Sequence, residues 1–558
     1  MSIHLKGAGG APGIALGRAV LYLPAKSDAA LTFSSPEEAL SRLAAAQAAA
    51  AQALGGLAER LRGEGREEEA GIFDAQALLV EDQFLSDEVA RRVRDQAEPL
   101  ISAIVATVGQ MRADLEALDD PYLRERAADM DAIGRSILAA LHGDTGGLRD
   151  LPAGAIIVAP DLTPAETAEL RGGTVAGFAT AYGGPTGHTA ILARALGIPA
   201  VVGLGAAALE IHNDAEVILD GAAALLIAEP DAPERADYTR RAAELRAESA
   251  RRQMLRDLPG QLADGHQLAL WANIGHPDEA RLALEHGAEG IGLFRTEFLF
   301  LDRAAPPSEN EQYTAYRRTL ETMAGRPVVI RTIDIGGDKP LPYLDMPHED
   351  NPFLGVRALR LCMRRPDLFA TQLRALLRAA VYGDLWIMLP MVATLDDLRW
   401  GRTQLAAAAV ALAAEGVPHR ADVRLGIMIE TPAAAVTADM LAREAAFFSI
   451  GSNDLTQYAM AADRGLADLA ARYPHDAPAV LRLIGQAANA ANRAGIPIGV
   501  CGELAGVPAA AVLLAGLGLN ELSMAPASIP IVKERLREVT LEQARALAAA
   551  GMGEPLMR

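Results

Sequence analysis

The sequence predicts a multidomain α/β protein: a small α/β domain with an inserted helical bundle, followed by a (β/α)8 TIM barrel. Three observations lead there. Over about the last 300 residues, eight short apolar runs alternate with helical text, the pattern of a (β/α)8 barrel. Before them lies a long stretch rich in Ala, Leu, Glu and Arg, with few glycines or prolines and little β-branched content. Strand-like text flanks that stretch on both sides, so the helices read as an insertion into one α/β domain.

Taken in order, the opening 3–23 reads as short strands separated by Gly9-Gly10 and Pro12-Gly13. Ser35-Pro36-Glu37-Glu38 marks a helix start, with proline in the first turn and a capping-box glutamate. Helical text then continues to about Leu141. Strand text returns at Ala155-Ile156-Ile157-Val158-Ala159, and Asp161-Leu162-Thr163-Pro164-Ala165-Glu166 opens another helix. Apolar pieces at 174–178, 200–202 and 216–219 carry the domain to about Ala228, and a charged, alanine-rich stretch at 231–257 reads as a linking helix. The barrel strand candidates are 268–274, 290–294, 327–330, 386–390, 424–429, 447–450, 498–500 and 521–524. A doubly wound open sheet shares this alternation, and periodicity alone does not separate the two. The expected boundaries are 1–28 with 146–228 for the discontinuous α/β domain, 29–145 for the bundle, 229–257 for the linker and 258–558 for the barrel.

Composition narrows the function. A net charge of −20 over 558 residues argues against general nucleic-acid binding and against attraction to anionic membranes. A few arginines in a cleft still admit an anionic substrate. Only two cysteines occur, Cys362 and Cys501, so no disulfide framework is expected and a reducing cytoplasm is. The first residues lack a signal peptide's apolar core and no apolar run reaches spanning length, so no membrane insertion is expected.

Chemistry concentrates in two places. In Gly183-Gly184-Pro185-Thr186-Gly187-His188-Thr189, one histidine sits at the mouth of a helix expected over 189–196. Unpaired N–H groups there attract anions and depress a nearby imidazole's pKa. A neutral imidazole in such a turn suits phosphoryl acceptance; the plainer alternative is an ordinary turn histidine. The second place is the carboxyl end of the barrel strands, where such enzymes keep their active sites. Just past the apolar runs stand Arg295, Arg331 with Asp334, Glu430, Asn453 with Asp454, and Cys501 with Glu503. Arginine grips carboxylate and phosphate through paired hydrogen bonds. Glu430 and Asp454 offer hard oxygens for Mg2+, which takes one or two carboxylates plus substrate oxygens. A network of salt bridges at the rim is the plainer alternative. Cys501 is placed for proton transfer; Cys362, in helical text, reads as core. The other nine histidines show no zinc-type pairing, and neither a dinucleotide nor a P-loop pattern occurs.

The barrel half carries further motifs in this order: Gly292-Leu293-Phe294-Arg295-Thr296-Glu297-Phe298-Leu299-Phe300, Arg331-Thr332-Ile333-Asp334-Ile335-Gly336-Gly337-Asp338-Lys339, Glu430-Thr431-Pro432-Ala433, Phe448-Ser449-Ile450-Gly451-Ser452-Asn453-Asp454-Leu455-Thr456-Gln457-Tyr458 and Cys501-Gly502-Glu503-Leu504-Ala505-Gly506. With the His188 turn, they resemble the Enzyme I family of the phosphoenolpyruvate:sugar phosphotransferase system over nearly the full length. The resemblance implies a swivelling phosphohistidine domain in which His188 accepts the phosphoryl group through Nε2 and Thr167 hydrogen-bonds the imidazole. It implies phosphoenolpyruvate binding by Arg295, Arg331, Asn453, Asp454 and Arg464, with Arg357 in a supporting position. Glu430 and Asp454 would hold Mg2+, and Cys501 would protonate the enolate to give pyruvate. The helical insertion would dock a histidine-containing phosphocarrier protein, with Glu67 to Asp82 as the candidate surface, and the barrel would form a homodimer. Gly187 departs from the family, which more often has serine there. Rival readings are a non-catalytic phosphoenolpyruvate sensor and a relative of phosphoenolpyruvate synthase or pyruvate phosphate dikinase without the nucleotide domain.

Overall fold

The computed structural model describes residues 2–22, 33–63, 67–117, 127–142, 151–162, 166, 175–184, 189–190, 193–194, 197–301, 303, 305–336, 341, 343–344, 349–464 and 466–553. The chain forms two compact units, Met1–Glu248 and Ser249–Arg558.

In the first unit, eight strands form one sheet: β1 (Ile3–Lys6), β2 (Ala8–Ala11), β3 (Ile14–Leu21), β4 (Ala155–Ala159), β5 (Val175–Thr180), β6 (Ala200–Val202), β7 (Glu216–Asp220) and β8 (Leu225–Ala228). Their order is β1-β8-β7-β3-β4-β5-β6-β2. The centre, β3 to β6, is parallel, and β7 runs antiparallel to β3. A parallel centre must be covered on both faces, which is why β4 is an unbroken run of buried Ala, Ile and Val. β3 pairs directly with β4, Arg18 opposite Ala155, although more than a hundred residues separate them in sequence. One expectation is corrected here. Gly9-Gly10 does not separate strands but lies inside β2, opposite β6. A Cβ on Gly10 would come within 3.1 Å of Ala200, so the glycine serves close strand packing rather than a turn.

Between β3 and β4 come five described helices, α1 (Pro36–Gly63), α2 (Glu67–Val80), α3 (Gln83–Asp95), α4 (Leu100–Glu116) and α5 (Ala127–His142). They share a core that includes Leu43, Leu54, Phe73, Val80, Leu85, Ile104 and Ile137. Ser35 accepts from the Glu38 N–H as expected at the start of α1, but the Glu38 carboxylate turns to the Ser34 N–H and hydroxyl instead of closing the box on Ser35. The segment from Glu67 to Asp82 is not one helix: α2 ends at Val80, and Asp82 caps α3 by accepting from the Phe84 and Leu85 N–H groups. A final helix, α6 (Ala232–Met254), occupies the linking stretch.

The second unit settles barrel against open sheet. Strands β9 (Ala269–Ile274), β10 (Ile291–Phe294), β11 (Val328–Arg331), β12 (Leu385–Leu389), β13 (Arg424–Ile429), β14 (Phe448–Ile450), β15 (Ile498–Val500) and β16 (Glu521–Met524) form a closed parallel barrel. β16 returns to β9, Leu522 opposite Leu270, and this closure excludes a doubly wound sheet. Inside, Trp271, Val329, Trp386, Met388 and Phe447 fill the barrel, with Trp271 edge-on to Trp386 at 5.5 Å. Below, the fully buried Lys533 donates to the Arg256, Leu258 and Gly287 carbonyls at 3.0, 2.7 and 3.3 Å, fastening the lead-in to β9 to the lead-in to β10. No helix among the described residues is long and apolar enough to cross a membrane.

Candidate active site

A rigid barrel presents the residues after each strand to one mouth, and here that mouth is charged. Arg331 ends β11, Glu430 stands just after β13, and Cys501 just after β15, its N–H donating to the Ile450 carbonyl at 3.0 Å. After β14 the chain enters the helix Ser452–Met460, which puts Asn453 and Asp454 in its first turn. Arg295, Arg331, Arg357, Glu430, Asn453, Asp454, Arg464 and Cys501 all line one cavity of about 250 Å³, together with Asp334 and Glu503.

Two buried arginines organise it. Arg331 pairs with Glu297 and, at 2.8 Å, with Asp334. Arg357 reaches both oxygens of Asp334, at 3.0 and 3.1 Å, and Asp454 at 3.0 Å. Arg464 takes the other Asp454 oxygen at 3.2 Å. Burial works against the charge on both buried guanidiniums, but the surrounding carboxylates outweigh it and hold their pKa values above the ordinary one. Tyr458 accepts from Arg357 at 3.3 Å and donates to the Phe353 carbonyl at 2.6 Å. Gly336, at φ +113°, turns the chain tightly against Arg357; a Cβ there would sit 2.4 Å from the Val356 carbonyl oxygen. Arg295, by contrast, is exposed and has no ion pair among the described residues.

Glu430 is fully buried. The Met391 N–H donates to its Oε1 at 2.5 Å, while Oε2 has no hydrogen-bond partner among the described residues. Burial, then the nearby Asp454 and Asp334 carboxylates, push its pKa upward. Asn453 and Glu503 clasp each other, the Asn453 amide donating to the Glu503 carboxylate at 3.3 Å and accepting from its N–H at 3.2 Å.

Burial pushes the Cys501 thiol up to about 12. A thiol held neutral keeps its proton for delivery and resists alkylation, because the thiolate is the nucleophile. At pH 8, iodoacetamide should label Cys501 in the native protein ~100-fold or more slowly than in urea, with the native rate still rising tenfold per pH unit at pH 10. Peptide mapping of the alkylated protein checks this; a native rate that levels off near pH 9 would contradict it. Cys362 is buried in the helix Leu359–Arg364, within the core.

His188, Thr167 and Gly187 lie outside the described residues. Beside them, Thr189 is buried and donates to the Leu162 carbonyl at 2.8 Å; Thr189, Ala190, Ala193 and Arg194 are helical. Sequence reasoning missed Glu297, Tyr458 and the Met391 amide. Glu297 and Tyr458 stand within the motifs around Arg295 and Asp454 and were readable as partners for arginine. The Met391 amide left no side-chain signal: β12 ends at Leu389, Pro390-Met391 follow it, and their contribution to the mouth is backbone, from a residue at φ +56°.

Arginines interleaved with carboxylates around a neutral thiol, all at one barrel mouth, define a barrel enzyme for a small anionic substrate. The chain matches the family models described as PEP-utilising enzyme, PEP-binding domain, over residues 249–541; N-terminal, over 6–126; and mobile domain, over 151–224. It is 43% identical to the phosphoenolpyruvate-protein phosphotransferase of Geobacillus stearothermophilus, covering 97% of this chain and 94% of that one. With the protein of the same name from Bacillus sp. (strain S) it shares 44% identity over 91% of this chain and 88% of the relative. With that of Bacillus subtilis (strain 168) the identity is 40%, over 97% and 95%. The chain belongs to the phosphoenolpyruvate-protein phosphotransferase family, the Enzyme I family of PEP-utilising enzymes.

Proposed function

We propose that this chain takes the phosphoryl group of phosphoenolpyruvate onto His188, releases pyruvate, and passes the group to a histidine-containing phosphocarrier protein for sugar uptake, in the cytoplasm and as a homodimer through the barrel. The observation that carries the proposal is the convergence of Arg295, Arg331, Arg357, Arg464 and Cys501 on one cavity with two carboxylates, Glu430 and Asp454. The relatives' names point the same way.

In this reading Arg295, Arg331 and Arg464 grip the phosphate and carboxylate oxygens, with Asn453 and Asp454 fixing the substrate's orientation. Arg357 holds Asp334 and Asp454 in place. Glu430 and Asp454 would hold Mg2+. The donor set fits, because Glu430 turns a buried oxygen without a hydrogen-bond partner among the described residues, and a hard cation needs only one or two such carboxylates. When bound, the ion supplies positive charge to the phosphate and to the enolate oxygen. Phosphoryl transfer asks the protein mainly for alignment and charge neutralisation. His188, oriented by Thr167, must visit the cavity in line with the departing phosphoryl group and then leave it for the carrier, docked around α2 and the start of α3. Cys501 gives its proton to the methylene carbon of the enolate, and the buried barrel interior keeps water from competing.

The test is incubation of the full chain with labelled phosphoenolpyruvate and Mg2+, with mass mapping of the modified residue and His188→Ala alongside. An acid-labile phosphate on His188, absent from the variant, is the expected result. No label on well-folded protein would overturn the reading in favour of a phosphoenolpyruvate sensor.

A further inference from the structure

Beneath Cys501 the barrel holds polar side chains that the reaction above leaves unused. Glu521 opens β16 at the barrel end opposite the active site, and it is only 8% exposed. Its carboxyl occupies room left by two glycines. A Cβ on Gly499 would lie 1.4 Å from Glu521 Oε2, and one on Gly292 would lie 2.7 Å from Oε1. Around it stand Trp271, Trp386 and Phe447, poor company for an ionised carboxylate. Burial raises its pKa well above the usual carboxylate range, so it keeps its proton. Oε1 has no hydrogen-bond partner among the described residues, and neither has Ser449 Oγ or Trp386 Nε1. All three residues line one cavity of about 20 Å³, roughly the room a single water needs.

Strand register ties this cavity to the thiol. Ser449, Gly499 and Glu521 lie side by side on β14, β15 and β16. Cys501 stands two residues beyond Gly499, hence on the same inward face, and the Ser449 hydroxyl lies beside its thiol. Cys501 is itself 2% exposed, and a bound substrate covers it further. A thiol that gives up a proton there needs another route to recover it.

We propose that Glu521, acting through Ser449 and a water seated in the cavity between them, is the proton reservoir that recharges Cys501. The proposal rests on the reading of Cys501 as the acid that protonates the enolate. As the methyl C–H bond forms, the Cys501 S–H bond breaks and leaves a thiolate. Ser449 passes its hydroxyl proton to the sulfur and takes one from the water, which takes the carboxyl proton of Glu521. The Glu521 carboxylate then regains a proton from solvent at this end of the barrel, where 8% of the residue stays exposed. One proton enters at Glu521 for each one delivered to pyruvate. Glu521 and Ser449 never touch substrate; they act on it through the thiol.

The experiment separates two exchange rates in the full-length protein given phosphoenolpyruvate, Mg2+ and pyruvate carrying both carbon-13 and a deuterated methyl group. Carbon label moves into phosphoenolpyruvate even if Cys501 takes and returns the same deuteron. Loss of deuterium to water requires that the deuteron leave the thiol. In Glu521→Gln and in Ser449→Ala, the ratio of deuterium loss to carbon exchange is expected to fall about tenfold or more. A merely structural role would slow both rates together, so an unchanged ratio in either folded variant overturns the relay. Ser449→Ala removes a single oxygen and keeps the test available if Glu521→Gln does not fold. Absence of carbon exchange in the unmodified protein would instead overturn the phosphotransferase reading itself.

Discussion

Replacing Arg357 with methionine is expected to cost the barrel about 3 kcal/mol of stability and most of its affinity for phosphoenolpyruvate. Arg357 is buried between Asp334 and Asp454 and satisfies three of their oxygen contacts at 3.0 to 3.1 Å. Breaking a buried pair by removing one partner typically costs about 3–5 kcal/mol, because a carboxylate is stranded out of water. The lower end applies here, since Asp334 keeps Arg331 and Asp454 keeps Arg464. Arg357→Lys should recover only part of the loss, because an ammonium cannot make the forked contact with Asp334. Urea unfolding followed by tryptophan emission isolates the barrel, as all three tryptophans, Trp271, Trp386 and Trp400, belong to it. A methionine variant as stable as the parent would show that the carboxylates around this site are not held by Arg357.

Cys501→Ala should lower carbon exchange between labelled pyruvate and phosphoenolpyruvate by about 10²–10⁴-fold, the usual contribution of a positioned general acid. Cys501→Ser should be nearly as poor, because a hydroxyl is a far weaker acid than the thiol it replaces. Both variants should bind phosphoenolpyruvate with little change, since the arginines and not the sulfur carry the anion. The thiol donates to the Ile450 carbonyl at 3.7 Å and makes no ion pair among the described residues, so the fold should survive both changes. An alanine variant that keeps a third or more of the exchange rate would remove Cys501 from the reaction and leave the enolate to be protonated by water.

Much of this architecture is legible in one dimension because its determinants are local. Parallel barrel strands are buried on both faces, so each one must be a short apolar run, and the eight observed strands fall within about a residue of those runs. Helical text between β3 and β4 is equally clear, since helix propensity and the absence of breakers act residue by residue. The glycines are less legible. Gly9-Gly10 looks like a break but lies within a strand, because the same residue that permits a turn also permits close packing against Ala200. The end of the segment from Glu67 to Asp82 is ambiguous in the same way: aspartate can continue an acidic helix surface or cap the next helix, and its neighbours' N–H groups decide.

Residue order alone was thus enough to specify which kinds of groups stand at the barrel's mouth, since the residues after each apolar run are read directly along the chain. It was enough for the resemblance to Enzyme I for the same reason, long motifs being contiguous. Closure of the strands needed the packed fold, because it is a pairing of β16 with β9 across about 250 residues. So did the role of Arg357 as the link between Asp334 and Asp454, the Met391 amide on Glu430, and the buried Glu521 beneath Cys501. Each of these depends on distances between residues far apart in sequence, and in a closed barrel those distances are set by strand register.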